Sequence, residues 1–290
     1  MTKRQVTKQR SATTQGATKQ NATAQPLLGR VAIVTGASRG LGKYYAMALA
    51  EAGAKVVVAS RSDQPARLAG TNHETVDAIR RAGGEAIAVK CDVSVTNDLQ
   101  FLVGEAVYRF GRIDVLVNNA ANAQRMPFFN VTPDWWDNYF NTNLRAAYFT
   151  AQAAAPHMMR QGGGSIINIT SGAGTAPMNE TMLAHHGLYM ISKGALDRLT
   201  VYLSQELRPC NIAVNALSPG AVETDGLVDR VPQRLRDKSG LDFREPSVAL
   251  VKNGIVTLAL QDAGGMTGQV VNSDDFKKPE SAAQPTRKRL

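Results

Sequence analysis

The chain has 290 residues and a mass of 31.1 kDa, which is enough to bury a sizeable core. Its composition, 43% hydrophobic and 20% charged, is ordinary for a globular protein and excludes a wholly disordered or fibrous chain. No apolar run approaches the ~18 residues of a membrane span, so we expect no membrane partner. The formal net charge of +9 resides in the two ends, residues 1–28 and 277–290, whereas the residues between them are balanced. The charge therefore predicts no nucleic-acid partner for the folded part.

The composition along the chain predicts one folded domain between two tails. Residues 1–27 and 277–290 are basic, poor in apolar side chains and predicted to be disordered, which leaves residues 28–276 as a single Rossmann-type domain. The N-terminal tail could alternatively be a mitochondrial or plastid transit peptide, but it lacks the amphipathic apolar stripe of one. The chain has only two cysteines, Cys91 and Cys210, which indicates a reducing compartment and favours the cytoplasm.

From Gly29 onward, short β-branched segments alternate with helical patterns. In chain order the pattern predicts strand 31–35, helix 41–52, strand 55–60, helix 71–81, strand 86–90, helix 96–110, strand 113–118, helix 132–160, strand 165–170, helix 189–207, strand 212–217, helix 247–261 and strand 269–272. The strands are apolar without alternation, as in sheets covered on both faces. The prediction is an α/β fold: a single doubly wound Rossmann fold with a seven-stranded, mostly parallel sheet flanked by helices.

A glycine-rich turn lies between the first predicted strand and the first predicted helix. Gly36 permits the tight turn, Gly40 lets the backbone approach a pyrophosphate, and Gly42 lets the helix pack closely on the strand. The start of the helix then offers free N–H groups and a positive dipole end to phosphates. No Gly-Lys-Ser/Thr follows, so the turn is not a nucleoside-triphosphate loop of the Walker A type. The residues predicted to contact the cofactor here are Gly36, Ser38, Arg39, Gly40, Leu41 and Gly42.

Several further motifs follow this turn in a fixed order. They are Asn118-Asn119-Ala120, Ser171, Tyr189 with Lys193, and Ser218-Pro219-Gly220 followed by Thr224. With the Thr-Gly-x3-Gly-x-Gly spacing of the turn, they resemble the short-chain dehydrogenase/reductase family from about Gly29 to Phe276. Residues 65–71 and 266–269 are similar to a branch that contains hydroxysteroid dehydrogenase-like proteins. The resemblance implies a nicotinamide cofactor, a small-molecule carbonyl or alcohol substrate, and a homo-oligomer, either tetramer or dimer.

Tyr189 and Lys193 are the expected acid–base pair. Their spacing of four residues puts both side chains on one face of a helix. A phenol ordinarily titrates near pH ~10, and a neighbouring ammonium favours its ionised form. Tyr189 can then exchange a proton with the reacting oxygen while a hydride moves to or from nicotinamide. The resemblance also implies that Lys193 binds the ribose of the cofactor.

Two further catalytic residues are implied by the resemblance. Ser171 follows a predicted strand and would hydrogen-bond the reacting oxygen, with Thr170 as the competing hydroxyl. Asn143 lies inside the long predicted helix, and the family assigns it a helix distortion whose free carbonyl holds a water linked to Lys193. Asn141 is the competing position there.

The remaining cofactor contacts are implied in the same way. The resemblance assigns adenine contacts to Asp92 and Val93, adenosine contacts to Asn119 and Ala120, and further contacts to Pro219, Gly220 and Thr224, with Thr224 reaching the nicotinamide carboxamide. A capping role before the next helix is the structural alternative for Asp92. The family usually has glycine where this chain has Ala121, and the added methyl is expected to narrow that turn.

The end of the second predicted strand indicates which cofactor is preferred. An Asp or Glu there would accept from the 2′-hydroxyl of NAD. This chain instead has Ser60-Arg61, with Arg39 in the neighbouring glycine turn, so we expect these residues to bind the 2′-phosphate of NADP(H). Asp63 is close enough to serve as a ribose acceptor, which keeps NAD(H) as the runner-up.

The segment between Ser171 and Tyr189 is longer than is common in the family, and we interpret it as a wall of the substrate pocket. Its adjacent histidines, His185 and His186, would point apart, so no metal site is predicted. Residues 227–243 are expected to form a lid. The aromatic residues 135, 136, 139 and 140 at the start of the long helix predict helix packing or a subunit interface rather than base stacking.

Three classes of function compete at this point. The first is an NADP(H)-dependent oxidoreductase that interconverts a carbonyl and a secondary alcohol. The second is a catalytically silent NADP-binding scaffold or sensor of the same fold, which Ala121 and the long loop allow but the intact Ser171, Tyr189 and Lys193 oppose. The third, a nucleic-acid binder acting through the tails, would lose its binding when the tails are removed.

Overall fold

A computed structural model of the chain describes residues 25–62, 70–124, 126–174, 187–220 and 246–276. Most of both predicted tails, Asp63, the segment with His185 and His186, Thr224 and the predicted lid at residues 227–243 lie outside the described residues.

Seven strands form one sheet in which every neighbouring pair is parallel. The order across the sheet is β3-β2-β1-β4-β5-β6-β7. The bounds are β1 Val31–Thr35, β2 Lys55–Ser60, β3 Ala86–Lys90, β4 Val115–Asn118, β5 Gly164–Ile169, β6 Ile212–Ser218 and β7 Val270–Asn272. The prediction of a doubly wound seven-stranded Rossmann fold is confirmed, and the described sheet is wholly rather than mostly parallel.

The helices occupy the segments that the hydrophobic periodicity predicts. Their bounds are α1 Gly40–Glu51, α2 Asn72–Arg81, α3 Thr96–Phe110, α4 Pro133–Phe140, α5 Ala146–Arg160, α6 Gly187–Glu206 and α7 Pro246–Ala259. The predicted continuous helix over 132–160 is therefore two α-helices, joined by a π-helical segment at Asn141–Arg145. None of the described helices combines the length and apolar character needed to cross a bilayer.

The sheet is buried on both faces, which explains why its strands read as continuous apolar runs. Alternate residues of β1 point to opposite faces: Val34 packs in a cluster with α1, α2 and α7, and Ile33 packs in a second cluster with α3, α5 and α6. Val58 and Val57 of β2 divide in the same way. A central strand with no solvent-facing side needs no polar residues, so alternation is lost.

The first turn of α1 approaches the ends of β1 and β4 so closely that Gly42 has no room for a side chain. A Cβ at this position would lie 2.2 Å from the carbonyl oxygen of Gly36 and 2.5 Å from Nδ2 of Asn119. Gly36 itself has a φ of +66° and faces the backbone of Ala120. This contact seats the helix start over the carboxyl edge of the sheet.

Gly42→Ala should therefore destabilise the fold, because backbone rather than a flexible side chain obstructs the new methyl group. We expect the free energy of unfolding to fall by about 3 kcal/mol. Gly104→Ala is the matched control: Gly104 is an exposed residue inside α3 with nothing within 4 Å of the added Cβ. That variant should gain about 0.5–1 kcal/mol from helix propensity. Urea denaturation of both checks this, and equal effects would contradict the close approach at Gly42.

Candidate active site

The candidate site lies at the carboxyl edge of the sheet, where β1 and β4 are neighbours. The chain leaves β1 towards β2 and β3 on one side, then returns to β4 and β5 on the other. Such a reversal of strand order opens a crevice between the loops that follow the two central strands. The glycine turn after β1 and the predicted catalytic residues after β5 both belong to this edge.

Asn119 and Thr35 hold the glycine turn against the end of β4. Nδ2 of Asn119 donates to the carbonyl oxygens of Thr35, at 2.8 Å, and of Gly36, at 3.2 Å. Oγ1 of Thr35 accepts from the backbone N–H groups of Asn119 and Ala120. The amide of Asn119 is thus engaged with the turn itself. Asn211 is the one non-glycine residue of the described ranges with a positive φ, so Ala121 is not strained by its side chain.

The beginning of α1 is suited to an anion. Its first turn contains no Asp or Glu, and no side chain caps its N–H groups. Gly40 opens the helix with a φ of +55°, while Ser38 is buried and Leu41 partly buried beside it. Uncapped N–H groups and the helix dipole both favour a phosphate here.

Lys193 is buried beneath the crevice with a single strong hydrogen bond. Its side chain lies on α6, is 2% exposed, and donates from Nζ to the carbonyl oxygen of Ile169 at 2.7 Å, at the end of β5. Burial lowers the pKa of Lys193 to about 8, and the charge of Asp197 opposes that fall. Nζ lies 5.6 Å from the ring centre of the half-buried Tyr189. The predicted shared helix face of Tyr189 and Lys193 is present.

Ser171 follows β5 and starts a short turn that lies directly on α6. Its Oγ accepts from the N–H of Ala173 at 3.2 Å, and a 3-10 turn occupies Gly172–Gly174. A Cβ at Gly174 would be 2.8 Å from the backbone N of Gly194 and 3.0 Å from the carbonyl carbon of Lys193. Because no side chain separates the turn from the helix, Ser171 is half-buried beside the Tyr-Lys helix. The competing Thr170 is buried, and its hydroxyl points to the carbonyl of Lys193 at 3.4 Å.

Asn143 lies in the π-helical segment, so the predicted helix distortion is present. Its side chain is 2% exposed and makes two hydrogen bonds to the backbone of Asn122 in the loop after β4. Oδ1 accepts from the N–H of Asn122 at 2.7 Å, and Nδ2 donates to the carbonyl of Asn122 at 2.9 Å. Nδ2 also donates to Oγ of Ser192, which in turn donates to the carbonyl of Tyr189. Asn143 therefore links the loop after β4 to the Tyr-Lys helix, and the partly buried Asn141 has no such links among the described residues.

A small cavity separates Asn143 from Lys193. It is lined by residues from the ends of β1 and β4, the loops after β3 and β4, the π-helical segment, α5 and α6: Thr35, Val93, Asn118, Ala120, Thr142, Asn143, Ala146, Ala147, Thr150, Lys193 and Leu196. One buried wall continues as a polar chain, in which Asn118 donates to Asn168 at 3.0 Å and Asn168 donates to Thr200 at 2.9 Å. Sequence reasoning missed Asn168, Thr200 and Asn122, because such links between distant segments leave no local signal.

The end of β2 differs in part from the expected phosphate site. Oγ of Ser60 donates to Oδ1 of Asn72 at 2.7 Å and accepts from the N–H of Ser62, so its one proton is already used inside the protein. Arg61 has a 76% exposed side chain, and its Nη1 lies 4.0 Å from Oδ2 of Asp92. The other oxygen of Asp92 accepts from the backbone and hydroxyl of Ser94. Asp92 therefore orders the turn before α3 and does not cap that helix, whose N-cap is Val95 without a side-chain hydrogen bond; its charge also faces Arg61.

The far side of the crevice is only partly described. Pro219 is buried, and its carbonyl accepts from Oγ of Ser273 at 2.8 Å, while Gly220 is exposed with a φ of +73°. Thr224, which the sequence predicts as a carboxamide contact, lies outside the described residues.

Comparisons with known proteins agree with this geometry. A family profile described as short chain dehydrogenase matches residues 30–234. The chain is 38% identical over 255 residues to an uncharacterized oxidoreductase of Methylorubrum extorquens. The aligned residues cover 85% of this chain and 97% of that protein. It is 37% identical over 254 residues to the short-chain reductase NovJ of Streptomyces niveus, covering 84% and 92%. A solved structure of 7α-hydroxysteroid dehydrogenase complexed with NADH and 7-oxo glycochenodeoxycholic acid is similar with a TM-score of 0.73 at 29% identity, covering 86% and 94%.

Asn143→Ala should weaken the fold, because it leaves the N–H and carbonyl of Asn122 without their partners. We expect a loss of about 1–3 kcal/mol in the free energy of unfolding. Asn97→Ala, on the exposed surface of α3, should change stability by less than about 0.5 kcal/mol. Denaturant titration of the two variants measures the difference, and comparable small effects would contradict a role for Asn143 in tying the loop to α6.

Proposed function

The chain belongs to the short-chain dehydrogenase/reductase family and is an enzyme that acts on CH–OH donors with a nicotinamide cofactor; we propose that it is an NADP(H)-dependent oxidoreductase that interconverts a carbonyl and a secondary alcohol, with Tyr189 as acid–base. The observation that carries this proposal is the burial of Lys193 beside Tyr189 at the end of β5.

The described residues fit a dinucleotide. Gly40 opens α1 with a positive φ, and the uncapped start of that helix offers N–H groups to a pyrophosphate. We assign Val93 and Asp92 to the adenine side and the backbone at Asn119 and Ala120 to the adenosine. Pro219, Gly220 and Thr224 are assigned to the nicotinamide side by the same family pattern.

The chemistry follows from the residues around Lys193. When bound, the nicotinamide supplies or accepts the hydride. Tyr189 gives a proton to the carbonyl oxygen in reduction and takes one from the alcohol in oxidation. The ammonium of Lys193 favours the phenolate by its charge and binds the ribose hydroxyls. Ser171 hydrogen-bonds the reacting oxygen and stabilises the charge that develops on it.

Asn143 and the cavity beneath Lys193 serve proton supply in this proposal. The family pattern assigns a free backbone carbonyl to the π-helical turn, and the cavity is lined by both that turn and Lys193. A water hydrogen-bonded in the cavity would connect Lys193 to the solvent side of the π-helical turn. The side chain of Asn143 fixes the turn rather than carrying the proton itself, because its donors are held by Asn122 and Ser192.

The preference for NADP(H) rests chiefly on Arg61. An ion pair as exposed as that between Arg61 and Asp92 contributes little stability, so the guanidinium can exchange Asp92 for a phosphate at low cost. Ser60 supports the site indirectly, by bonding Asn72 and Ser62 and so shaping the loop that begins at Arg61. Arg39 is the second cation in the proposal, since it stands at the N-cap of α1.

We propose a small carbonyl compound or its secondary alcohol as the substrate. The 7-oxo bile-acid derivative in the complex of the hydroxysteroid dehydrogenase is a ketone on a fused ring system, and it favours ring ketones for the first tests. A suitable panel is 2-tetralone, phenanthrenequinone and a keto steroid, each with NADPH and NADH.

We further propose a homo-oligomer, tetramer or dimer. Large apolar side chains remain exposed on α5 and α6 themselves: Met159 on α5, and Ile191 and Tyr202 on α6. Exposed apolar groups on neighbouring helices favour burial against another copy. Trp136 and Phe140 stack with ring centres 4.4 Å apart on α4, and Trp136 remains partly exposed there.

The cytoplasm is the proposed compartment. Cys91 is buried and Cys210 is partly buried, and both thiols are free in the structure. Burial, with the charges of Asp98 and Asp92, raises the pKa of Cys91 to about 12, so this thiol is unreactive at neutral pH.

Tyr189→Phe should retain NADPH binding and lose at least about a hundredfold in kcat, because only the proton-transfer group is removed. Tyr108→Phe, on the exposed surface of α3, is the control and should match the wild type. Reduction of the ring-ketone panel is followed by NADPH absorbance, and binding by fluorescence. A Tyr189→Phe enzyme that keeps more than about a tenth of the wild-type rate would sink the assignment.

Arg61→Ala should weaken NADPH binding about tenfold or more and leave NADH binding nearly unchanged. The reason is that a hydrogen bond to a charged group contributes about 1.5–3 kcal/mol. NADH has no 2′-phosphate, so it does not make this bond and its affinity does not depend on Arg61. Arg109→Ala, a surface arginine paired with Glu105, controls for general loss of positive charge. Equal wild-type affinity for the two cofactors, or an equal loss for both in the variant, would show that Arg61 does not bind the phosphate.

A further inference from the structure

Asp197 is a buried carboxylate for which the proposed function has no use so far. It lies on α6, one turn beyond Lys193, and is 3% exposed. Neither of its oxygens has a hydrogen-bond partner among the described residues. An ionised carboxylate without hydrogen bonds is costly to bury, so its presence requires a compensating interaction.

Lys193 is the buried cation of α6 that can provide this compensation, because the adjacent Arg198 is exposed. Residues four apart on a helix share a face, and both side chains are buried, with Nζ of Lys193 bonded to the end of β5. Nζ of Lys193 is hydrogen-bonded to Ile169, so the two charges act on each other through the interior rather than through a direct ion pair. Thr170 stands beside both groups, with its hydroxyl 3.4 Å from the carbonyl of Lys193.

We propose that Asp197 is a positioning residue of the active site, whose buried negative charge keeps Lys193 in the ammonium form that Tyr189 requires. This inference rests on the proposed function for its catalytic meaning. Without Asp197, burial alone would favour neutral lysine, and a neutral lysine neither attracts phenolate nor binds ribose as a cation.

The electrostatics of both residues agree with this arrangement. Asp197 raises the pKa of Lys193 against the larger effect of burial. Burial in turn raises the pKa of Asp197, and the charge of Lys193 opposes that rise. Each residue therefore stabilises the charged form of the other. In this buried region, either group without its partner would favour its uncharged protonation state.

Few other charged groups face this pair. β5 and β6 present neutral side chains to α6. Tyr45 of α1 is buried, and the charge of ionised Tyr189 adds to the effect of burial in raising the pKa of Tyr45. Arg145 of the π-helical segment is directed to Ser94 and Thr96. The remaining charged residues of the elements that pack on α6 are exposed or partly exposed at the surface: Asp134 and Asp137 of α4, Arg198 of α6 itself and Arg208 after it.

The first test is the pH profile of kcat/KM for oxidation of 2-tetralol with NADP⁺. Removing a negative charge nearer to Lys193 than to Tyr189 makes both protons easier to lose, but favours loss from the lysine. Asp197→Asn should thus move both limbs of the profile to lower pH by about one unit and lower the maximum about tenfold. Asp197→Glu, which keeps the charge, should restore the position of the limbs.

The matched control is Ser204→Ala. Ser204 is fully buried on the same face of α6, and among the described residues its hydroxyl bonds only within that helix, to Val201 and Gln205. This variant can lower stability but should leave the limbs of the profile in place. An Asp197→Asn profile with unmoved limbs, or an equal displacement in Ser204→Ala, would overturn the proposal.

A second measurement does not depend on turnover. Melting temperatures are compared for the wild type, Asp197→Asn, Lys193→Met and the double variant. If the charges compensate each other, the double variant loses less than the sum of the two single losses, since no charge is left alone. Additive losses would overturn the coupling even if the enzyme is active.

The yield of soluble protein tests the same coupling between Asp197 and Lys193 if a variant cannot be purified for melting. If Asp197→Asn is insoluble by itself, recovery of soluble protein in the Lys193→Met background supports the pair, and failure in both backgrounds contradicts it. Because melting requires no substrate, an active Tyr189→Phe enzyme would defeat the proposed function without affecting this result.

Discussion

The burial of Lys193 is the interaction on which the site depends. Its ammonium lies at the end of β5, where it donates to the carbonyl of Ile169 with almost no exposure to solvent. That position can exist only if α6 packs directly on the sheet edge, and the contact between Gly174 and Gly194 permits this approach. The turn with Ser171, the helix with Tyr189 and the cavity below Lys193 are all placed by the same packing.

The buried ammonium of Lys193 lowers the local stability of the fold. Burying a cation costs free energy of folding, and interactions elsewhere in the structure must offset that cost. Two apolar clusters, one on each face of the parallel sheet, provide that support. Asn143 adds rigidity, because it ties the loop after β4 to the Tyr-Lys helix through Asn122 and Ser192. The polar network is therefore concentrated around Lys193 and the Tyr-Lys helix.

The parallel sheet explains why residues so distant in sequence meet. Parallel strands end at one common edge, so the segments after β1, β4 and β5 converge there. Each segment is short and strongly held: Asn119 bonds back to the glycine turn, and Asn118 bonds to Asn168 of the adjacent strand. A polar side chain that hydrogen-bonds within the protein orders the carboxyl edge of the sheet, but its donor is then not available to a ligand. The hydroxyl of Ser60, which donates to Asn72, is an example.

The sequence by itself determined the fold class, the order of elements and the main site motifs. Apolar strands without alternation predict a doubly covered parallel sheet, and a spacing of four residues places Tyr189 and Lys193 on one helix face, because both patterns follow from local geometry. Only the tertiary structure decided what depends on long-range packing. It directed Ser60 to Asn72, bonded Asn143 to Asn122 and buried Asp197 beside Lys193. Burial and hydrogen bonding of this kind depend on which other elements pack against the side chain, and no local pattern of residues encodes that.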